Sequence, residues 1–411
     1  TDEHKKDVHK KDGYGMDESM NQCILKERLS PLLKYPGGKE KELNYILPAL
    51  PEKLVNYYEP FVGGGAVYFS IEAQKYFIND KSDELISLYL MVKNQDSEFF
   101  EKLEAIEYNW NKISEIVDRH GERLVRIYLL YKEDGLNKQQ LGDEITQFVL
   151  ENARELNDLL TRKFNYEIEN FVVELCRSMK SKMMRMKKLE KEKGDLPEGD
   201  LILNIESALK AAFYTHFRYL MNHREELLLT DSFASAIYFF IRQTCYSSMF
   251  RYNRNGKFNV PYGGISYNRK SFAGKISYYR DAGLVRHLEK TVIGNLDFYD
   301  FMQKYRPGRE DFVFLDPPYD TEFSTYAQNE FTKNDQARLA EYLIRECEAS
   351  FMIVIKNTDY IASLYPAGTR TANGKELHVT SFDKKYFVSF QDRNDKEAQH
   401  LLITNYRIGE G

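Results

Sequence analysis

Residues 54–80 read LVNYYEPFVGGGAVYFSIEAQKYFIND, and the fold turns on how they are read. A short apolar and aromatic run (LVNYYEPF, 54–61) leads into Gly63-Gly64-Gly65. AVYFSIEAQ (66–74) then carries a helical pattern, and a second run, YFIND, ends at Asp80. Strand, glycine turn, helix, strand is the opening of an open α/β sheet.

The same kind of text returns far downstream, with TVIGNLDFYDF (291–301) and DFVFLDPPYD (311–320). Phe312 to Leu315 is a short buried-strand pattern whose carboxyl end delivers Asp316-Pro317-Pro318-Tyr319. A helix (NDQARLAEYLIREC, 334–347), a strand (SFMIVIKN, 350–357) and two later strands (YFVSF, 386–390; HLLITNY, 400–406) close the sheet.

Between the two α/β blocks lies a long excursion. No proline occurs from Phe61 to Leu196, and Phe99, Leu103, Ile106, Trp110 and Ile113 step along one apolar face of a helix. The pattern predicts a helical insertion over 96–215 with four or more helices. Its run RSMKSKMMRMKKLEKEK (177–193) suits either a phosphate backbone or a solvated face. GDLPEGD (194–200) breaks the insertion, and two aromatic-rich helices follow, near 206–223 and 232–244. RYNRNGKFNVPYGG (251–264) reads as a β-hairpin turning on Asn255-Gly256, a pair that suits a two-residue turn. The expected division is a flexible leader (1–30), a catalytic domain (31–95 and 285–411), the helical insertion (96–215) and a DNA target-recognition region (216–284).

At 411 residues, 42% apolar and 29% charged, the chain is long and apolar enough to bury a sizeable core. It has no run of the roughly 18 to 20 apolar residues a membrane span needs, and its first residues are charged where a signal peptide is apolar. A soluble cytoplasmic protein, nucleoid-associated and without a membrane partner, is expected. The four cysteines (Cys23, Cys176, Cys245, Cys347) form no CxxC pair, so neither a disulfide framework nor a metal site is indicated. A net charge of −5 hides a local asymmetry: Ile241 to Arg280 holds eight cations (Arg242, Arg251, Arg254, Lys257, Arg269, Lys270, Lys275, Arg280) and no acid, interleaved with Tyr and Phe rings. Cations beside flat rings are what a nucleic-acid surface offers.

The glycines at 63–65 invite a nucleotide reading. A phosphate loop needs Gly-Lys-Ser/Thr, and Gly65 is followed by Ala66-Val67; a dinucleotide fingerprint needs glycine where Tyr68 stands. Both readings fail. An acid (Glu59) before a glycine turn that lets a ligand approach the backbone remains, with Asp80, whose carboxylate suits two ribose hydroxyls.

LKYPGGK (33–39), EPFVGGG (59–65), NDKSDELISLY (79–89), RYNRNGKFNVPYG (251–263) and DPPY (316–319), in that order, resemble the DNA adenine methylase family of S-adenosylmethionine-dependent enzymes, class α, D12 type. The likeness covers roughly 31–95 and 240–411. It implies a Rossmann-like methyltransferase sheet with helices on both faces, an inserted, mostly helical target-recognition region with a hairpin, S-adenosylmethionine as cofactor and duplex DNA as substrate. The cofactor would meet Tyr35, Gly38 and Lys39, then Glu59, Phe61, Gly63 and Gly65, with Asp80 at the ribose and Asp297 and Phe298 at the adenine ring. The DNA would meet Lys34, Tyr246, Arg251, Asn253, Arg254, Lys257, Pro261, Arg269 and Lys270. Arg251 suits a guanine edge and Tyr246 the gap a flipped base leaves. A GATC-like site is implied, although Ser247 and Gly264 stand where GATC-methylating members carry Asn and Arg. A monomer is favoured, with a cognate restriction endonuclease as its natural counterpart.

The chemistry of the residues agrees. The lone pair on adenine N6 is delocalised into the ring, so the nitrogen is a poor nucleophile until its geometry is pushed toward tetrahedral. Asp316 can accept one N6 hydrogen and the Pro317 carbonyl the other, two prolines stiffen the turn, and Tyr319 would stack on the extruded base. Cytosine C5 transfer is excluded, because no cysteine follows a proline. The alternatives left open are N4-cytosine methylation, an RNA adenine substrate, and an inactive methyltransferase fold that serves only as a DNA-binding or specificity subunit.

Overall fold

The computed structural model describes residues 23–160, 164–318, 331–385 and 397–409. Its seven strands are β1 (Asn56–Glu59), β2 (Lys75–Asn79), β3 (Thr291–Gly294), β4 (Phe312–Leu315), β5 (Ser350–Lys356), β6 (His378–Lys385) and β7 (Glu397–Thr404). They form one sheet in the order β3-β2-β1-β4-β5-β7-β6. The first five run parallel, β7 is antiparallel to β5, and β6 is antiparallel to β7. Strands such as FVFL and FMIVI, apolar at every position, are what a sheet covered on both faces requires.

One face packs Tyr58, Val313, Leu315, Phe351 and Ile353 against α11 (Phe298–Tyr305), α12 (Lys333–Arg345) and α13 (Asp359–Leu364). The other packs Tyr57, Phe312, Phe314 and Val354 in the same core as α1 (Leu43–Ile46), α2 (Asp83–Lys93) and α10 (Ala282–Glu289). The sheet has the expected Rossmann-like form with helices on both faces.

That second core runs without a break into a helical body. It is built from α3 (Ser97–Lys132), α4 (Lys138–Glu151), α5 (Ala153–Asn157), α6 (Ile168–Lys193), α7 (Glu198–Asn222), α8 (Asp231–Thr244) and α9 (Ala273–Tyr279). Trp110 on α3 is fully buried among the rings of Phe213, Phe240 and Phe272. The boundary expected at 215/216 falls inside α7. The basic run 177–193 turns Met179, Met183 and Met186 inward, and Lys187 donates to the Tyr131 carbonyl at 2.6 Å, so part of it is a packed face. Among the described residues no helix is long and apolar enough to cross a membrane.

Two local expectations need correction. Residues 66–74 form no helix, only a 3-10 turn at Tyr68–Ser70. Ala66 to Ile71 are all buried, so the segment has no polar face to turn to solvent, and β2 starts a few residues later. Part of the expected flexible leader is packed on the fold: Cys23 is buried, Ile24 bridges Ile71 and Leu25 N–H donates to the Ser70 carbonyl, while residues 1–22 lie outside the described residues. The expected strand YFVSF lies outside the described residues.

From β1 the chain moves through β2 to β3, whereas β4 leads to β5 on the opposite side. The strand order therefore reverses between β1 and β4. In open α/β sheets such a reversal opens a crevice at the carboxyl ends of the strands, where ligands bind.

Candidate active site

Asp316 follows β4 directly, at the mouth of that crevice. Its Oδ1 lies 2.5 Å from Nζ of Lys39, which also donates to the Gly37 carbonyl at 3.1 Å. The Lys39 side chain is 3% exposed and that of Asp316 20%, so a near-buried ammonium meets a carboxylate open to the crevice. Pro317 is buried and Pro318 exposed. The Pro318 carbonyl accepts from Nε2 of Gln336 at 2.8 Å. Gln336, fully buried in the first turn of α12, thus clamps the proline turn, and no sequence signal marked it. Tyr319 lies outside the described residues.

Glu59 ends β1 and is buried beneath this pair, accepting a 2.7 Å hydrogen bond from the Tyr57 hydroxyl. Burial pushes its carboxyl far above the usual carboxylate range; the Tyr57 bond opposes that and the charge of Asp316 adds to it. Glu59, expected as a cofactor contact, lies within electrostatic reach of both Lys39 and Asp316.

The glycine turn is tight for stated reasons. Gly63 has φ +48°, and its N–H donates to Asp80 Oδ2 at 3.0 Å. Gly65 has φ +75°, and a Cβ there would come 2.6 Å from the Tyr89 hydroxyl. The Tyr35 ring lies on the turn, 3.1 Å from where a Gly63 Cβ would be. Asp80 follows β2 directly, and its other oxygen accepts from Ser82 N–H at 2.9 Å. Burial raises the Asp80 carboxyl, and the backbone bonds, Ser82 first, pull it back.

The rings of Phe61, Phe298 and Phe331 pack on one another, with centroids 5.4–5.8 Å apart. Asp297 caps α11 through Tyr299 N–H at 3.0 Å and pairs with Arg338 at 3.0 Å and Lys81 at 3.8 Å. Its oxygens are thus already engaged, and Arg338, which lies 5.2 Å from the Phe298 ring, was not legible in the sequence. A cluster of rings, an acid just past β2 and a side-chain-free turn make a donor set that fits an adenosine-bearing cofactor.

The recognition segment is partly exposed and partly structural. Its hairpin has one antiparallel bridge, Tyr252 to Phe258. The turn is not the expected two-residue form: Gly256 N–H donates to the Asn253 carbonyl, Asn253 N–H to the Lys257 carbonyl, and Gly256 has φ +71°. This is a three-residue loop with a glycine bulge. Asn253 Oδ1 accepts from the N–H groups of Asn255 and Lys257 at 2.9 and 3.0 Å, so the side chain builds the turn. Arg251 is exposed and braced by Nε to Asn259 Oδ1 at 2.9 Å. Lys257 Nζ lies 2.7 Å from His223 Nε2. Tyr246 is 48% exposed, and its N–H donates to the Pro261 carbonyl. Lys34, Arg254 and Arg269 are exposed as well.

The eight cations are not all offered to a ligand. Arg242 is buried against the Phe250 ring and donates to the Met249 carbonyl at 2.9 Å. Lys270 donates to the Gln243 carbonyl and Lys275 to the Pro31 carbonyl, both at 2.6 Å. Arg280 pairs with Glu104 of α3. Their partners lie far away in sequence or are backbone oxygens, which is why the segment looked unopposed.

A family model described as "D12 class N6 adenine-specific DNA methyltransferase" matches residues 35–192 and 198–379, insertion included. The Type II methyltransferase M.CviBI of Paramecium bursaria Chlorella virus NC1A is 34% identical over 173 residues, 41% of this chain and 60% of that protein. The Type II methyltransferase M.MjaIII of Methanocaldococcus jannaschii is 24% identical over 396 residues, 92% of this chain and 99% of that protein. The DNA adenine methylase of Escherichia coli (strain K12) is 25% identical over 338 residues, 80% of each chain.

Proposed function

The chain belongs to the D12 class N6 adenine-specific DNA methyltransferases, and from that premise we propose that it moves a methyl group from S-adenosylmethionine to N6 of an adenine flipped out of duplex DNA, in the crevice between β1 and β4. The observation that carries this reading is the meeting of Lys39, Asp316 and the glycine turn at the point where the strand order reverses.

In this reading the cofactor supplies an electrophilic methyl group. The protein supplies position. Phe61, Phe298 and Phe331 take the cofactor's base, Asp80 its ribose, and the Tyr35-to-Lys39 loop its amino-acid end. Asp316 accepts one N6 hydrogen of the flipped adenine and the Pro317 carbonyl the other, which concentrates the lone pair toward the methyl. Lys39 holds Asp316 in place until the base arrives. The cost of flipping, a few kcal/mol, is offset by ring stacking and phosphate contacts. Arg251, Arg254, Arg269 and Lys34 provide the exposed cations for the duplex, and the names of two relatives suggest the modification half of a Type II restriction-modification pair.

The test is methyl incorporation from radiolabelled S-adenosylmethionine into diverse duplexes. Label is expected on adenine N6 and nowhere else; label on cytosine N4 or on RNA alone, or none with DNA binding intact, would replace this reading with one of its alternatives. Methylation-sensitive sequencing of DNA from expressing cells then gives the site.

A further inference from the structure

The helical insertion is joined to the recognition segment by a chain of buried polar contacts. Ser114 of α3 donates to Glu206 Oε1 at 2.7 Å, and Glu206 pairs with Lys210 one turn along α7 at 2.9 Å. Both side chains are close to fully buried. The Lys210 ammonium sits 4.7 Å from the Trp110 ring centroid and donates to the backbone carbonyl of Asn268. Asn268, itself buried, donates to the Leu203 carbonyl at 3.1 Å and accepts from the Tyr262 hydroxyl at 3.0 Å. A buried ammonium needs such partners, so the position of Asn268 is strongly specified.

The next contact reaches the surface. Tyr267, beside Asn268, lays its ring on Gly263, where any Cβ would collide with it, and takes the Lys270 ammonium at 4.4 Å. Its hydroxyl accepts a hydrogen bond from Ser247 N–H at 3.2 Å. Ser247 and Ser248 both have left-handed backbone, φ 53° and 52°, which is rare for residues with a side chain and persists only where surroundings hold it. This turn carries the exposed Tyr246.

We propose that Tyr267 is a positioning residue for DNA engagement: anchored through Asn268 to the Glu206–Lys210 pair of the insertion, it holds the Ser247–Ser248 turn in the conformation that presents Tyr246 to the duplex. The inference rests on the DNA-adenine reading above. It gives the insertion a task, as the support against which the recognition loop is braced, and the contact to DNA itself stays with Tyr246.

The experiment uses the full chain, with plasmid DNA for methylation and a fluorescent duplex for affinity. Tyr267→Phe keeps the ring and removes only the acceptor for Ser247 N–H. It should raise KM for DNA and the duplex Kd roughly fivefold, the worth of one hydrogen bond, with kcat, cofactor Kd and Tm unchanged. Lys210→Met should shift Kd in the same direction, and the double variant should be no worse than the worse single, because both act on one chain of contacts. A Tyr267→Phe protein with normal Tm and unchanged Kd overturns the proposal, as does a double variant whose losses multiply. A wild-type protein that binds DNA without methylating it sinks the catalytic reading instead, and the Kd ratio still judges this one.

Discussion

The crevice and the recognition segment solve opposite problems with the same residue types. At the crevice the charges face one another: Lys39 against Asp316, with the buried Glu59 carboxyl, pushed up by burial, close by. Each sits at or just past the end of a parallel strand, or on a loop laid over the glycine turn. In the recognition segment cations are plentiful, and several end on backbone carbonyls or on an acid far away in sequence, as Lys275 does on Pro31 and Arg280 on Glu104. The difference teaches that a reaction centre built on strand ends is local in its design, while a surface that must fit a duplex is held by its distant neighbours.

The sharpest way to break that contrast is Asp316→Ala. If the crevice does the chemistry, methyl transfer should fall on the order of 10³-fold, about 4 kcal/mol in barrier, with DNA affinity within a factor of two, as read by labelled-cofactor incorporation beside a binding titration. Equal loss of both would mean that the two regions are not separable.

The same contrast explains what could be read in advance. The strands, the glycine turn and the proline turn were legible because a buried parallel strand is a contiguous apolar run, and because glycine and proline are there for backbone reasons visible one residue at a time. Gln336 under Pro318 and Arg338 over Phe298 were not, since a polar residue on an amphipathic helix looks the same whether it faces solvent or clamps a loop. The turn-building role of Asn253 was hidden for a related reason: a turn-building side chain and a base-reading side chain look alike in sequence, and only the hydrogen bonds show the first role.

A second comparison concerns stability. His287, packed on Tyr68 and Tyr76 beside the sheet, and His216, packed on Phe171 in the helical body, are each pushed by burial to about 4. Both are therefore neutral in the fold at pH values where the unfolded chain, near 6.5, already binds a proton. Their contribution is fully present above pH 6.5 and is lost as pH falls toward 4, up to about 3 kcal/mol for each. His287→Phe and His216→Phe should each flatten that acid limb in Tm measured from pH 7 to pH 4. Because one core joins sheet and helices, both should act on a single transition; two transitions, each responding to one histidine, would show the halves to be independent.

Arg251→Ala tests the exposed side of the recognition segment. It should cost roughly 1 to 3 kcal/mol in DNA affinity and relax preference at one base pair, seen by methylation sequencing. Uniform loss on every sequence, with a shallower salt dependence, would mean that Arg251 touches phosphate alone.

The smallest effect separates a turn-building residue from a reading one. Asn253 gives its oxygen to two backbone N–H groups of the hairpin loop, which leaves only its amide nitrogen to meet a base. Asn253→Asp keeps the oxygen and the turn while replacing that nitrogen with a second, charged oxygen. If the residue only shapes the loop, affinity should fall by less than about 1 kcal/mol on every duplex alike, and the loss should shrink as salt screens the added charge. If it reads a base, the loss should concentrate on the methylated site and persist at high salt. Titrations of cognate and scrambled duplexes at two ionic strengths distinguish the cases, and the geometry of the loop favours the first.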